Sequence, residues 1–336
     1  MRKGSWYETR FGGVDRRNRA ERSGSGVCFG AQQAIVGAGA RPELTAAARG
    51  LLARRRARGN IVMKIAAALT ALGALFAVPA ALAQAAPDTE LWRLDCGELE
   101  VSDFAEFSDS HRYDGKPYKL VDSCYLVRHG SDYLLWDTGL SGDILGKKVV
   151  DGVFTLTLRS RIVSQIAQIG VKPEQVRFVG ISHRHFDHIG QVGDFPQATL
   201  LIGAGDFVSI KAGNPTAAGF KSWIDGTAKV EAVGVDKDVF GDGSVVLLGM
   251  PGHTPGHHSL LVRLKGAGPV LLSGDQFHAT ESFEHDQVPT YNTDRADTLA
   301  SIDRFKQIAA NLKATIVIQH EPADVAKLPA FPRSAR

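Results

Sequence analysis

The chain has 336 residues, 44% of them hydrophobic, and a formal net charge of +3. That is room for roughly one to three domains with a sizeable core. The charge is uneven: residues 1–83 carry 14 Lys and Arg against 4 Asp and Glu, whereas residues 84–336 carry 25 against 32. The acidic balance of the longer part argues against nucleic acid or an anionic membrane as a partner.

Residues 1–62 are rich in Arg, Gly and Ala, with "ARRRARGN" at 53–60 and little periodicity. From Met63 the chain reads "MKIAAALTALGALFAVPAALAQAAP". One Lys leads an apolar run from Ile65 to Val78, and "ALA" at 81–83 offers the small residues a signal peptidase reads. The run is short for a membrane span. The reading is a secretory signal peptide over 63–83, preceded by a mis-called or disordered basic leader over 1–62. A single domain over 84–336, exported to the periplasm or beyond, follows from it, with no stable membrane span once the signal is cleaved. Past Cys28 the cysteines are Cys96 and Cys124. A disulfide and two buried thiols are both open for them.

Strands are expected at Leu91–Asp95, Asp122–Arg128 and Tyr133–Asp137, the last two joined by "HGSD". A helix follows in "RSRIVSQIAQIG" (159–170), with Ile162, Ile166 and Ile169 at helical spacing and Gly170 as its stop. "VRFVGIS" (176–182), "ATLLIG" (198–203) and "SVVLLGM" (244–250) read as buried strands. "HSLLVRL" (258–264) and "PVLLSGD" (269–275) form a hairpin across "KGAG". "TDRADTLASIDRFKQIAANL" (293–312) is an amphipathic helix with Leu299, Ile302 and Phe305 on one face, and "ATIVIQH" (314–320) is a last strand. The mixture predicts an α/β fold with sheets between helical layers.

The segment "ISHRHFDHIGQ" (181–191) places three of the chain's 11 histidines and an aspartate between His183 and His188. Imidazole and carboxylate are the ligands a borderline divalent ion takes. Other apolar strands also end in such residues. His253 lies in "PGHTPGHH", Asp275 closes "LLSGD" and His320 closes "TIVIQH". These endings are expected to share one edge of a sheet, where loops converge.

"HRHFDH" fits the His-x-His-x-Asp-His pattern, and the chain resembles the metallo-β-lactamase superfamily over about 90–330. The resemblance includes "WDTG" (136–139), "SHRHFDH" (182–188), "GHTPGH" (252–257), "SGD" (273–275) and "QHEP" (319–322). It implies an αββα fold: two mixed β-sheets between outer helices. It also implies that His183, His185 and His253 hold one metal, that Asp187, His188 and His320 hold a second, and that Asp275 bridges them. The ions would be zinc, with manganese, iron or cobalt as alternatives. A hydroxide held between them is a nucleophile at neutral pH, so no serine or cysteine nucleophile is needed. Asp137 would orient a ligand histidine, form the turn before Thr-Gly, or both. His257 and His258 would be loop or supporting residues.

Within the superfamily the chain is most similar to the N-acyl homoserine lactone lactonase group. The likeness lies in "DCG", "SCYLVRHG", "LLWDTGL", "GHTPGHHSLLV" and "QHEPADVAKLP". It implies a small-molecule lactone or related ester as substrate, with Asp187 and His278 in catalytic positions. β-Lactamases of this fold lack the residue that Asp275 supplies. Glyoxalase II-like thioesterases share all seven ligands but carry a late basic cluster that is not found around 325–336. A thioesterase or other ester hydrolase remains the alternative, followed by a non-catalytic metal- or ligand-binding protein. Related lactonases often place a tyrosine three residues after the bridging aspartate, where this chain has His278. Imidazole can donate a hydrogen bond, and an ordinary pKa of about 6.5 would let it act as an acid. Tyr291 and Phe283 are candidate apolar walls. Neither the natural substrate nor the oligomeric state is legible in the sequence.

Overall fold

The computed structural model describes residues 88–213 and 215–336. The leader and signal-peptide expectations therefore lie outside the described residues. In chain order come strands β1 (Thr89–Val101), β2 (Tyr118–His129), β3 (Asp132–Trp136), β4 (Lys148–Asp151) and β5 (Phe154–Thr157). Helix α1 (Ile162–Gln168), β6 (Val176–Ile181), the single-turn α2 (Phe186–Ile189), β7 (Thr199–Gly203) and α3 (Ala204–Lys211) follow. Then come α4 (Lys221–Ile224), β8 (Val230–Val233), β9 (Lys237–Asp238), β10 (Val245–Gly249), β11 (His258–Leu264) and β12 (Gly268–Leu272). The chain closes with α5 (Thr280–His285), α6 (Arg295–Leu312), β13 (Thr315–Val317) and α7 (Pro322–Val325).

One sheet has the order β4-β5-β1-β2-β3-β6-β7-β8, and the other β13-β12-β11-β10-β9. Both are mixed. The first is antiparallel up to β3 and parallel from β3 to β8, and the second turns parallel at β12–β13.

The two-residue period of a strand explains the layers, because successive side chains face opposite sides of the sheet. Tyr125, Val127, Leu134 and Trp136 share one buried cluster with Val245, Leu247, Leu260 and Leu272 of the second sheet. Their neighbours Cys124, Leu126 and Leu135 pack the other way, onto Ile162 and Ile166 of α1 and Phe207 and Ile210 of α3. On the second sheet, Leu248, Leu261 and Leu271 meet Ile302, Phe305 and Ala309 of α6. Strands buried on both faces read as continuous apolar runs, as "VRFVGI" and "TLLIG" do. The αββα expectation holds.

Cys96 and Cys124 form a disulfide across β1 and β2, beside the bulge between Asp95 and Gly97. This settles the choice left open by the sequence. Behind it sits the "WDTG" turn: a Cβ on Gly139, at φ +62°, would lie 2.5 Å from the Cβ of Cys96. No helix among the described residues is long and apolar enough to cross a membrane.

The last strand is shorter than expected. The sheet pairing ends at Val317. Beyond it the Ile318 N–H donates to Asp324 Oδ2 and the Gln319 N–H to Ser273 Oγ, so side chains replace the ladder. The β4–β5 hairpin, β8, β9, α3 and α5 were not foreseen.

Candidate metal centre

His183 follows β6 of the first sheet, whereas His253, Asp275 and His320 follow β10, β12 and β13 of the second. The expectation of one sheet edge is corrected: both sheets contribute strand ends to the same end of the sandwich. The single turn α2 brings Asp187 and His188 into the same place. Thr138 of the "WDTG" turn donates its N–H to the His188 carbonyl at 2.7 Å, which locks that turn to α2.

The side chains gather in two groups. His183, His185, His253 and Asp275 form one, and Asp187, His188 and His320 the other. Within each group the potential ligand atoms lie within 4.8 Å of one another. The Asp275 carboxylate stands between them. Its Oδ1 is 2.9 Å from His320 Nε2 and 3.0 Å from His188 Nε2. Its Oδ2 is 3.4 Å from both His183 Nε2 and His253 Nε2.

The outer hydrogen bonds decide which ring nitrogens face inward. His188 Nδ1 is 2.9 Å from Asp137 Oδ2, His253 Nδ1 is 2.7 Å from Asn292 Oδ1 and His320 Nδ1 is 2.9 Å from the Val121 carbonyl. These oxygens only accept, so each Nδ1 carries the proton and each Nε2 keeps a lone pair turned inward. The amide of Asn292 is itself oriented, because its Nδ2 donates to Thr298 Oγ1.

Inward nitrogens meet at short range. His188 Nε2 is 3.2 Å from His320 Nε2, and His185 Nδ1 is 2.9 Å from His183 Nε2 and 3.0 Å from His253 Nε2. Lone pairs that close repel unless a proton or cation lies between them. Five imidazoles and two carboxylates so arranged fit a pair of borderline divalent ions.

Burial and charge pull these groups in different directions. Burial, aided by the neighbouring imidazoles, holds His183 and His185 well below the usual histidine range. Burial also lowers His320 and His188, but nearby carboxylates together outweigh it: Asp275 for His320, and Asp275 with Asp137 for His188. His320 is raised to about 9 and His188 well above its ordinary value. Burial would raise Asp275, yet His188, His320 and His183 hold it well below the usual carboxylate range. Burial raises Asp187. Protons and metal ions compete for the same lone pairs, so metal affinity falls as pH falls.

Residues 118–320 match the family model described as the metallo-beta-lactamase superfamily. The chain belongs to that superfamily. It is a metal-dependent hydrolase. The N-acyl homoserine lactonase AttM of Rhizobium radiobacter is 32% identical over 261 residues, covering 73% of this chain and 98% of the relative. The N-acyl homoserine lactonase AiiA of Bacillus thuringiensis subsp. kurstaki is 29% identical over 215 residues, covering 62% and 84%. A solved N-acyl homoserine lactone hydrolase, with the product N-hexanoyl-L-homoserine bound at its catalytic metal centre, superposes with a TM-score of 0.63. It is 26% identical to this chain, and the superposition covers 74% of this chain and 99% of that one.

Both readings of Asp137 hold in this member of the superfamily. It forms the turn at φ +58°, and its carboxylate accepts from the Ser182 N–H as well as from His188. His257 supports Asp275: its Nδ1–H donates to the Met250 carbonyl, and its Nε2 accepts the Asp275 N–H at 2.9 Å. A Cβ on Gly274 would meet that Nε2 at 2.6 Å, so only glycine fits there. His258 begins β11 and hydrogen-bonds the Gly256 carbonyl.

Three supporting residues escaped the sequence reading. Asp206 is buried and accepts from the Arg184 N–H, the Gly256 N–H and Thr254 Oγ1, tying the "SHRHFDH" and "GHTPGH" loops together. Its signal was an acid just past the strand "TLLIG". Asn292 orients His253. Gln319, adjacent to a ligand in "QHEP", sits in a buried hydrogen-bond network.

A small cleft, with room for about one water, lies beside the metal groups. Leu99, Phe107, Leu120, Phe154, Phe186 and Tyr291 form its apolar side, and His185, Asp187, Asp275, His278 and His320 its polar side. The expectation for Tyr291 is met. Phe283 is corrected: it packs on Phe277 in the outer core against α6. His278 Nε2 lies 3.0 Å from Asp275 Oδ2 and 3.3 Å from the Tyr291 hydroxyl. Burial pushes its pKa down to about 4, so the ring is neutral at pH 7. A neutral ring can still hydrogen-bond, and the contacts of its Nε2 are with Asp275 and Tyr291.

Proposed function

We propose that the chain is a dinuclear lactonase that opens N-acyl homoserine lactones or closely related esters, and so quenches signals of that class. The observation that carries the reading is the Asp275 carboxylate, which turns one oxygen toward each group of ligands. His183, His185, His253, Asp187, His188, His320 and Asp275 would hold two divalent ions, which the donor set suits as zinc and which would supply a nucleophile at neutral pH and polarise the ester carbonyl. Water adds to the carbonyl carbon, the ring C–O bond breaks and the ring oxygen takes up a proton. The remaining work belongs to the chain. Asp137, Asn292 and the Val121 carbonyl keep three imidazoles in the binding tautomer. Phe107, packed edge-on against His278 and Tyr291, puts apolar surface beside the metal groups, where a lactone ring or the start of its acyl chain would lie. The substrates named for the relatives support the same class.

The test is a substrate panel with the metal-loaded protein. Lactones with an N-acyl chain should be opened fastest, ahead of thioesters, phosphodiesters and β-lactams. Strong thioester or phosphodiester turnover with none on lactones would reject the lactonase reading.

We further propose that residues 63–83 direct export, that 84–336 is the mature domain, and that it works in the periplasm or outside the cell. The Cys96–Cys124 disulfide supports an oxidising compartment. Mass spectrometry of exported protein should place its first residue at or near Gln84. Recovery of the 36.1 kDa chain from the cytoplasm alone would contradict export.

A further inference from the structure

We propose that Gln319 is a positioning residue that tunes the second metal group, Asp187, His188 and His320, more than the first. This rests on the metal-centre reading above. Gln319 is completely buried, and its side-chain amide uses all its hydrogen-bonding capacity. Its Oε1 accepts from Trp136 Nε1 and from the Gly274 N–H, both at 2.9 Å. Its Nε2 donates to Asp137 Oδ2 at 3.0 Å and to the Ser123 carbonyl at 3.4 Å. Indole and backbone N–H groups only donate, while a carboxylate and a carbonyl only accept. The amide can therefore sit one way round only.

The backbone of the same residue is also engaged. Its carbonyl accepts from Ser123 Oγ at 2.6 Å and its N–H donates to Ser273 Oγ at 3.2 Å. One glutamine thus joins the end of β3, the "WDTG" turn, β2 and the "SGD" turn to the loop that carries His320.

The asymmetry follows from where these bonds lead. Asp137 Oδ2, which takes the Gln319 proton, also takes the His188 Nδ1 proton. Gln319 therefore fixes the carboxylate that fixes His188, and it immediately precedes His320. The first group is held mainly by other residues, Asn292 on His253 and Asp206 on the loops around His185 and His253, and only His183 reaches the Asp137 network, at one remove through Ser182. The bridging residue is buffered as well, because His257 holds the Asp275 N–H independently of the Gly274 contact. Loss of the amide would leave the Trp136 and Gly274 N–H groups buried without acceptors and remove one of the two donors on Asp137 Oδ2, the oxygen that holds His188.

The test uses the full metal-free chain, titrated with Zn²⁺ against a chromophoric chelator. Gln319→Met has nearly the same length but none of the bonds. The wild type should take up two ions. In Gln319→Met one step should keep its affinity, and the other should weaken by about 10- to 100-fold, the usual scale for a residue that orients a ligand. In the Co²⁺-loaded protein, the shifted ring N–H resonance of His188 should move in the variant while that of His253 stays. Gln319→Glu keeps the length and the Oε1 acceptor but sets a carboxylate against Asp137. It should weaken the same step, and it serves if the Met variant does not fold. Two unchanged steps, or two steps weakened equally, would overturn the positioning role. A wild type that binds no ion would overturn the metal centre, and this proposal with it.

Discussion

Asp275→Ala should lower lactone turnover by about 10³-fold or more, since several kcal/mol of charge stabilisation depends on both ions being held. Among the described residues no other side chain presents one oxygen to each group: Oδ1 faces His188 and His320, and Oδ2 faces His183 and His253. The fold should survive. Asp275 sits past the end of β12, and Gly274 and His257 fix its backbone without help from the carboxylate. Steady-state kinetics together with a far-ultraviolet circular dichroism spectrum check both parts. A variant with wild-type turnover would remove the bridging role. A variant that unfolds would make Asp275 a structural residue.

If His278 serves the reaction from its place beside Asp275, His278→Ala should slow turnover by about 10²- to 10³-fold, the scale of losing one hydrogen-bond donor that stabilises the transition state. Metal content should stay the same, because His278 is not among the seven ligands. The geometry places its ring against Phe107, Tyr291 and Asp275, at the junction of the apolar and polar sides of the cleft. His278→Gln retains an N–H donor and should recover part of the rate. Burial holds the imidazole near a pKa of about 4, so the pH–rate profile of the wild type should show no limb near pH 6.5 that His278→Gln removes. Such a limb would restore histidine as a titrating acid. Loss of metal in His278→Ala would make it a ligand. Unchanged turnover would leave it as a wall.

The two clusters of histidine and aspartate were legible because metal chemistry restricts residue types and the fold restricts their places. Histidine and aspartate at the ends of apolar strands are costly unless they are used, and the spacing in "HRHFDH" puts three imidazoles on one strand end and one helical turn. The layers were legible from the two-residue period and the continuous apolar runs. The supporting residues were harder to see. Asp206 and Gln319 matter through contacts 22 to 196 positions away in the chain, and no local pattern marks them. The pull of burial on His278 was hidden for a related reason, since burial comes from the whole fold and not from "GDQFHAT" itself. Phe107 lies in a short 3₁₀ turn with no periodicity, so its place in the cleft was invisible. The shortened β13 depended on Asp324 and Ser273 supplying acceptors that compete with the strand ladder.

The central claim is that His183, His185, His253, Asp187, His188, His320 and Asp275 hold a pair of metal ions. Elemental analysis of the purified wild-type chain, after saturation with Zn²⁺ and removal of loosely bound metal, tests it most directly. The account predicts a ratio of about two ions per chain, as a two-metal site requires. A ratio near zero, with the protein folded, would contradict it.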